Sequence, residues 1–246
     1  MKKIYSLTNY FLKVFLAFKI NFLALLIIPV VSIIYQQSDS LFQKIPATDY
    51  YAYLSLWLAY LVTITGFSIG YEIVLLREQQ FLKQMKFIVK DIETVLYAKI
   101  LTHLILLLGT VIILAVFSRL LFFVPFFSTL LFSLGSTLFP FLPLSFLFLV
   151  LNLLPIHTES LQPIITFTTM AMLFYLNFMD IFSASTSLLI FINPMNFALE
   201  AGKIWSQLFL TGIQINLIAV GLASVFYLAT GYYALKNTRI IANFRI

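Results

Sequence analysis

Residues 50–71 read YYAYLSLWLAYLVTITGFSIGY, and at Glu72 the chain turns into EIVLLREQQFLKQMKFIVKDIETVL, residues 72–96. The first stretch carries no charged side chain. As a helix rising ~1.5 Å per residue it is just long enough for a hydrocarbon core ~30 Å thick. Lipid offers no hydrogen bonds, so a spanning segment must pair its own amides, and a helix does so. The second stretch holds Glu72, Arg77, Glu78, Lys83, Lys86, Lys90, Asp91 and Glu93, the densest charge in the chain. Uncharged sequence of bilayer length running into such a segment predicts a membrane-spanning helix that opens into water. Tyr50, Tyr51, Tyr53 and Trp57 open the span with the rings that favour a membrane interface.

The same reading extends to the rest of the 246 residues, of which 62% are hydrophobic and only 10% charged. Apolar runs at about 20–35, 50–71, 97–117, 122–151, 162–182 and 208–234 predict six spans. Pro29 interrupts the first, and Pro125, Gly135, Pro140 and Pro143 break the long fourth, which predicts a bend or a re-entrant start there. Arg119 marks a tight connection between the third and fourth. Ahead of the first span, residues 2–18 place Ile4, Leu7, Phe11, Phe15 and Phe18 at spacings of three and four, with Lys2, Lys3, Thr8 and Lys13 between them. That pattern predicts an amphipathic helix at the interface. The expected fold is an all-α integral membrane protein: one transmembrane domain over 1–246, with an interfacial helix at 1–18 and a cytoplasmic region at 72–96. No internal repeat or soluble domain is visible.

The net charge of +6 is informative through its distribution. Six spans put both termini on one side. Lys2, Lys3, Lys13 and Lys19, then Arg77, Lys83, Lys86, Lys90 and Lys99, then Lys236, Arg239 and Arg245 fall on that side. Only Lys44, Arg119 and Lys203 fall on the other. Basic loops stay cytoplasmic, so both termini are expected inside. The basic residues form no patch interleaved with aromatics, which argues against nucleic acid.

The chain offers little chemistry of its own. With no cysteine there is no thiolate or disulfide. GxxxxGKS/T, HExxH and G-x-S-x-G are absent, which leaves no phosphate-cradling loop, zinc-protease helix or nucleophile elbow. His103 and His157 lie far apart in sequence, and no carboxylates are specified to join either at a metal. Glu72, Asp180 and Glu200 fall at predicted span ends, where a wet boundary accounts for them. The expectation is a non-enzyme with no cofactor of its own.

Within 72–96, Leu75, Leu76, Gln79, Leu82, Met85, Lys86 and Val89 include positions at helical spacing with charges interleaved. This fits a short amphipathic helix that docks on a soluble partner, or else a solvated loop. Glu72, Arg77-Glu78 and the following Gln79 to Phe87 resemble the glutamate-arginine-glutamate element after span two in the membrane subunits of ABC-2 transporters. Lys99 stands at the family's lysine entering span three. Val89-Lys90 replaces the family's proline, and Gln79-Gln80 replaces its glycine. INPMNFALEAGKIW at 192–205 is similar to the family's proline-centred segment before span six, through Asn193, Pro194, Asn196 and Phe197.

The resemblance covers the whole chain. It implies a permease of the bacterial cytoplasmic membrane, paired with a second copy or a related permease and with two ATP-binding-cassette subunits. ATP and magnesium would be bound by those partners. Glu72, Arg77 and Glu78 would set the coupling geometry, and Phe81, Met85 and Phe87 would anchor the ATPase. Spans one, two and five would line a path. Tyr53, Trp57, Tyr60, Thr63 and Thr65 make span two partly polar, and Thr166, Thr168, Thr169, Tyr175 and Asn177 do the same for span five. Hydroxyls also simply join helices. The expected cargo is amphipathic or hydrophobic, such as an exported antimicrobial peptide. A membrane immunity scaffold and an ion-coupled carrier are the alternatives.

Overall fold

The computed structural model describes residues 2–17, 19–89, 91–177 and 183–238, and the side chains of all of these except 2, 19–26 and 177. Its elements are helices: α1 (Lys2–Ala17), α2 (Lys19–Gln36), α3 (Ala47–Glu78), α4 (Phe81–Val89), α5 (Ile92–Phe122), α6 (Phe126–Phe148), α7 (Thr158–Asn177), α8 (Ser187–Ile192), α9 (Pro194–Ser206) and α10 (Leu217–Lys236). Short 3-10 turns cover Ser38–Ser40 and Leu149–Leu153, and no strand occurs among the described residues. Four segments are long and apolar enough to cross a membrane: α3, α5, α6 with its 3-10 extension, and α10. The protein is a helical, multi-pass membrane protein.

Hydrogen bonds sort the helix ends into two groups. The end of α3 meets the end of α6 and the start of α7 through Arg77 and Glu78. Lys236 at the end of α10 reaches Glu93 at the start of α5 (2.7 Å), and Lys3 of α1 donates to the Val89 carbonyl of α4 (3.3 Å). At the opposite end, Tyr50 of α3 and Ser118 of α5 share a hydrogen bond (2.6 Å), and the Phe42 amide donates to the Leu121 carbonyl (2.8 Å).

Within the bundle α3 is central, packing most extensively on α6 and α9. Glycines make this approach possible. A Cβ at Gly66 would lie 2.6 Å from the Phe148 ring, and one at Gly70 would collide with the Phe148 carbonyl. Gly66 and Gly70 are one turn apart on α3, the small-xxx-small spacing that lets two membrane helices close up. Gly231 of α10 gives the same room to the Phe146 carbonyl.

Several boundaries differ from the sequence expectation, each for a local reason. The helix of span two continues past residue 71 to Glu78, because Glu72 and Arg77 find buried partners. The charged region 72–96 is therefore the last turns of α3, then α4, then the start of α5. Arg119 lies inside α5 and donates to the Phe123 carbonyl (3.2 Å). The turn itself is Phe123, in the left-handed region (φ 53°), with Val124 and Pro125. Pro125 precedes the first turn of α6, while Pro140 and Pro143 sit inside one helix, so that helix has no re-entrant start. The helix of span five, α7, begins at Thr158, ahead of the expected start at 162. Residues 178–182, including Asp180, lie outside the described residues, as do Phe18 and 239–246.

The largest difference falls at 183–207, between the expected fifth and sixth spans. Asn193 separates α8 from α9 and caps α9, its side chain accepting from the amides of Met195 (3.0 Å) and Asn196 (3.2 Å), with Pro194 in the first turn. At ~1.5 Å per residue α9 is about 20 Å long, too short to cross a bilayer, yet every residue from Asn193 to Lys203 is buried. The Tyr227 hydroxyl lies 3.0 Å from the Ile190 and Phe191 carbonyls, which sets the α8–α9 break about 15 Å along α10. Asn216 Nδ2 donates to Ser187 Oγ (3.1 Å) at the start of α10. Together these contacts make α8 and α9 a helical hairpin dipping into the bundle from the end opposite α4.

Candidate functional site at the α4 end

The turn out of α3 puts two adjacent charges to work on another part of the chain. Arg77 is 2% exposed. Its Nη1 donates to the Asn152 (2.6 Å) and Leu154 (3.0 Å) carbonyls, and its Nη2 to the Ile156 carbonyl (3.1 Å). Arginine suits this task, since a planar fork can satisfy several carbonyls where the chain leaves α6 and no longer pairs with itself. Glu78 takes the next step along the same connection. It accepts from the Thr158 amide (2.9 Å) and from the Thr158 hydroxyl, at the first turn of α7. A carboxylate there satisfies an orphan amide and complements the helix dipole. His157 Nδ1 lies 3.3 Å from Glu78 Oε1. Arg77 and Glu78 thus hold α3 to the α6–α7 connection.

Glu72, one to two turns earlier, faces α5 instead. Its Oε2 lies 2.5 Å from Lys99 Nζ and 3.3 Å from His103 Nε2. The spacing of Lys99 and His103 by four residues brings both to one face of α5. The N-terminal helix covers this group. Phe11 lies under Lys99 Nζ (4.2 Å to the ring centre), Phe15 is edge-on to His103 (5.9 Å), and Thr8 Oγ1 is 3.4 Å from the Ala98 carbonyl. The apolar stripe of α1 therefore packs on α5. Its polar pole, Ser6, Asn9 and Lys13, stays exposed.

Between these anchored ends lies α4. Leu82 and Val89 are buried, and Phe81 and Met85 are half-buried against the core. Lys83, Gln84 and Lys86 are exposed, with Phe87 (79%) and Ile88 (72%) beside them. Two large apolar side chains projecting next to two lysines form the outer face of a helix that the other described residues do not cover.

The residues expected along a path are more scattered. Trp57 and Tyr60 are buried on α3, with their rings 5.9 Å apart, and Tyr53 is exposed. Trp57 Nε1 donates to Gln36 of α2 (3.3 Å), beside an open cavity of about 300 Å³ lined by Val31, Ser32, Tyr35, Gln36 and Trp57. On α7, Thr166 is exposed and donates to the Gln162 carbonyl of its own helix (3.0 Å). Thr169 is buried and bonds the Ile165 carbonyl. Tyr175 is exposed, and the Asn177 side chain lies outside the described residues.

Glu200 is the clearest departure from the sequence reading. Assigned to a wet boundary, it is 0% exposed and pairs with Lys203 (2.6 Å), itself buried. Spacing was the signal that could have found the group. Asn196, Glu200 and Lys203 fall at i, i+4 and i+7, one stripe of a helix whose start Asn193-Pro194 announces.

No protein-family model, curated protein or solved structure gives a significant match to this chain.

Proposed function

We propose that this chain is the permease subunit of an ATP-binding-cassette transporter of the ABC-2 kind, exporting an amphipathic or hydrophobic cargo such as an antimicrobial peptide. In this reading α2, α3, α5, α6, α7 and α10 are the six spans. At ~1.5 Å per residue, the 18 residues of α2 and the 20 of α7 are about 27 and 30 Å long, close to a hydrocarbon core. The observation that carries the proposal is α4, a nine-residue helix with Phe87 and Ile88 exposed beside Lys83 and Lys86. A push on α4 reaches α3 and α5 directly, and reaches α6 and α7 through Arg77 and Glu78. That connection is what a subunit driven by a separate ATPase requires. The α4 end, with Lys3, Arg77, Lys83, Lys86, Lys99 and Lys236, is the cytoplasmic one by its positive charge. ATP and magnesium belong to the partner, and a second permease copy or a related permease completes the path.

Affinity purification from the native membrane, followed by mass spectrometry, tests this. A stoichiometric ATP-binding-cassette subunit is expected. Recovery of the chain alone, under extraction mild enough to keep known complexes together, would overturn the proposal. It would favour the second reading, an ion-coupled carrier, for which Glu72, Lys99 and His103 supply a titratable cluster against a membrane-length helix.

A further inference from the structure

Glu200 and Lys203 are joined by something other than each other. Glu200 Oε1 accepts from the Ser185 amide (3.1 Å) and the Ser185 hydroxyl (2.9 Å). Lys203 Nζ donates to the Ser183 carbonyl (2.6 Å). Asn196 meets the same Ser185 hydroxyl through its side-chain amide (2.9 Å). Ser183 lies in a bend, residues 184–186 are neither helix nor strand, and Thr186 is in the extended region (φ −64°, ψ 143°). In an extended chain, main-chain groups two residues apart face the same side. The anion reads an N–H and the cation reads the C=O two residues before it, which is how a charged pair would hold any extended peptide.

The fit is incomplete in a way that points to a second ligand. Glu200 Oε2 and Asn196 Nδ2 are buried with no hydrogen-bond partner among the described residues. One hydroxyl proton cannot serve both Glu200 and Asn196, so turning the Asn196 amide to donate to Ser185 still leaves one end of that amide unpaired. Buried acceptors without donors are costly, and a chain with one more main-chain or hydroxyl donor would satisfy what Ser185 leaves open. We infer that Asn196, Glu200 and Lys203 form a binding site for an extended peptide segment, and that residues 183–186 occupy it as a built-in strap. Ala184, Thr186 and Ser187 beside the site are exposed, and Ser187 meets Asn216 at the end opposite α4. That the displacing ligand is cargo rests on the export reading; the site itself does not.

The test uses the full-length protein in nanodiscs. The probe is a labelled linear peptide with the strap's own sequence, Ser-Ala-Ser-Thr-Ser-Leu, behind two lysines for solubility. Ser185→Pro removes both the amide and the hydroxyl of the strap. It is expected to bind the probe at least about tenfold more tightly than the parent, the size of one charge-assisted hydrogen bond. The same peptide N-methylated at alternate amides is expected to lose that gain, as is Ser185→Pro combined with Glu200→Gln. Equal affinity for parent and Ser185→Pro, or equal binding of the N-methylated peptide, overturns the inference. If Ser185→Pro does not fold, Ser185→Cys decides. It is the single thiol in a chain without cysteine, and saturating probe is expected to raise its labelling by an impermeant maleimide about fivefold or more. An unchanged rate overturns the inference. Neither assay contains an ATPase, so failure here leaves the transporter reading standing, and failure to recover an ATPase leaves the strap standing.

Discussion

Arg77 shows what a single charge at a membrane boundary can hold. Its three carbonyl acceptors lie in one five-residue stretch, 152–156, that the Arg77 fork gathers. Replacing it with Met removes the donors and leaves the buried Asn152 carbonyl and two partly buried ones unpaired, so Arg77→Met is expected to cost about 3 kcal/mol. Glu78→Gln keeps an acceptor for the Thr158 amide and is expected to cost nearer 1 kcal/mol. Lys44, exposed in the α2–α3 loop, sets the baseline, and Lys44→Glu should change stability by less than about 0.5 kcal/mol. Thermal unfolding in detergent reads all three. A Lys44→Glu variant as damaged as Arg77→Met would mean that the loss reflects general fragility of the fold.

At the scale of elements, close packing and an uncovered face make separate predictions. A Cβ at Gly70 meets the Phe148 carbonyl, whereas one at Gly221 of α10 meets nothing within 4 Å. Gly70→Ala is therefore expected to destabilise by about 1–3 kcal/mol, and Gly221→Ala to be neutral or slightly stabilising, as for any exposed helical glycine. Similar unfolding temperatures for the two would remove the tight α3–α6 approach. For α4, Phe87→Ala with Ile88→Ala should leave folding intact, since both side chains are exposed, while reducing recovery of the proposed ATPase about tenfold or more. Unchanged recovery would take α4 out of the docking surface. The elements best read from sequence were the apolar runs of bilayer length, because such a run has one stable outcome, a helix. The α8–α9 hairpin escaped because protein covers it, so its polar stripe looked like a loop. Glu72 and Glu200 were assigned to water for the same reason: the sequence carries their charge, while their partners Lys99, His103 and Ser185 become neighbours only in the packed bundle. The Asn193-Pro194 pair was legible as a proline-centred break, and in the structure it starts α9.

For the whole molecule, the sorting of helix ends makes a prediction about sides. Lys44 and Lys83 sit at opposite ends of the bundle and both are exposed. Introduced singly as cysteines, they should react from opposite sides of the membrane. An impermeant reagent on intact cells is expected to label Lys44→Cys, and Lys83→Cys only after lysis. Labelling of both from one side would overturn the arrangement of spans. The Arg77 clamp also sets an order of events at the ribosome. Arg77 is made 75 to 79 residues before the carbonyls it binds. At ~5–20 residues per second the delay is about 4–16 s. During it α5 is made and joins α3, with a guanidinium at their edge that has not met those acceptors. The first half of the protein must wait, half-assembled, for the second half to be synthesised. A chain cut before residue 152 should therefore be a substrate for membrane quality control, whereas one extending past Thr158 should begin to escape it.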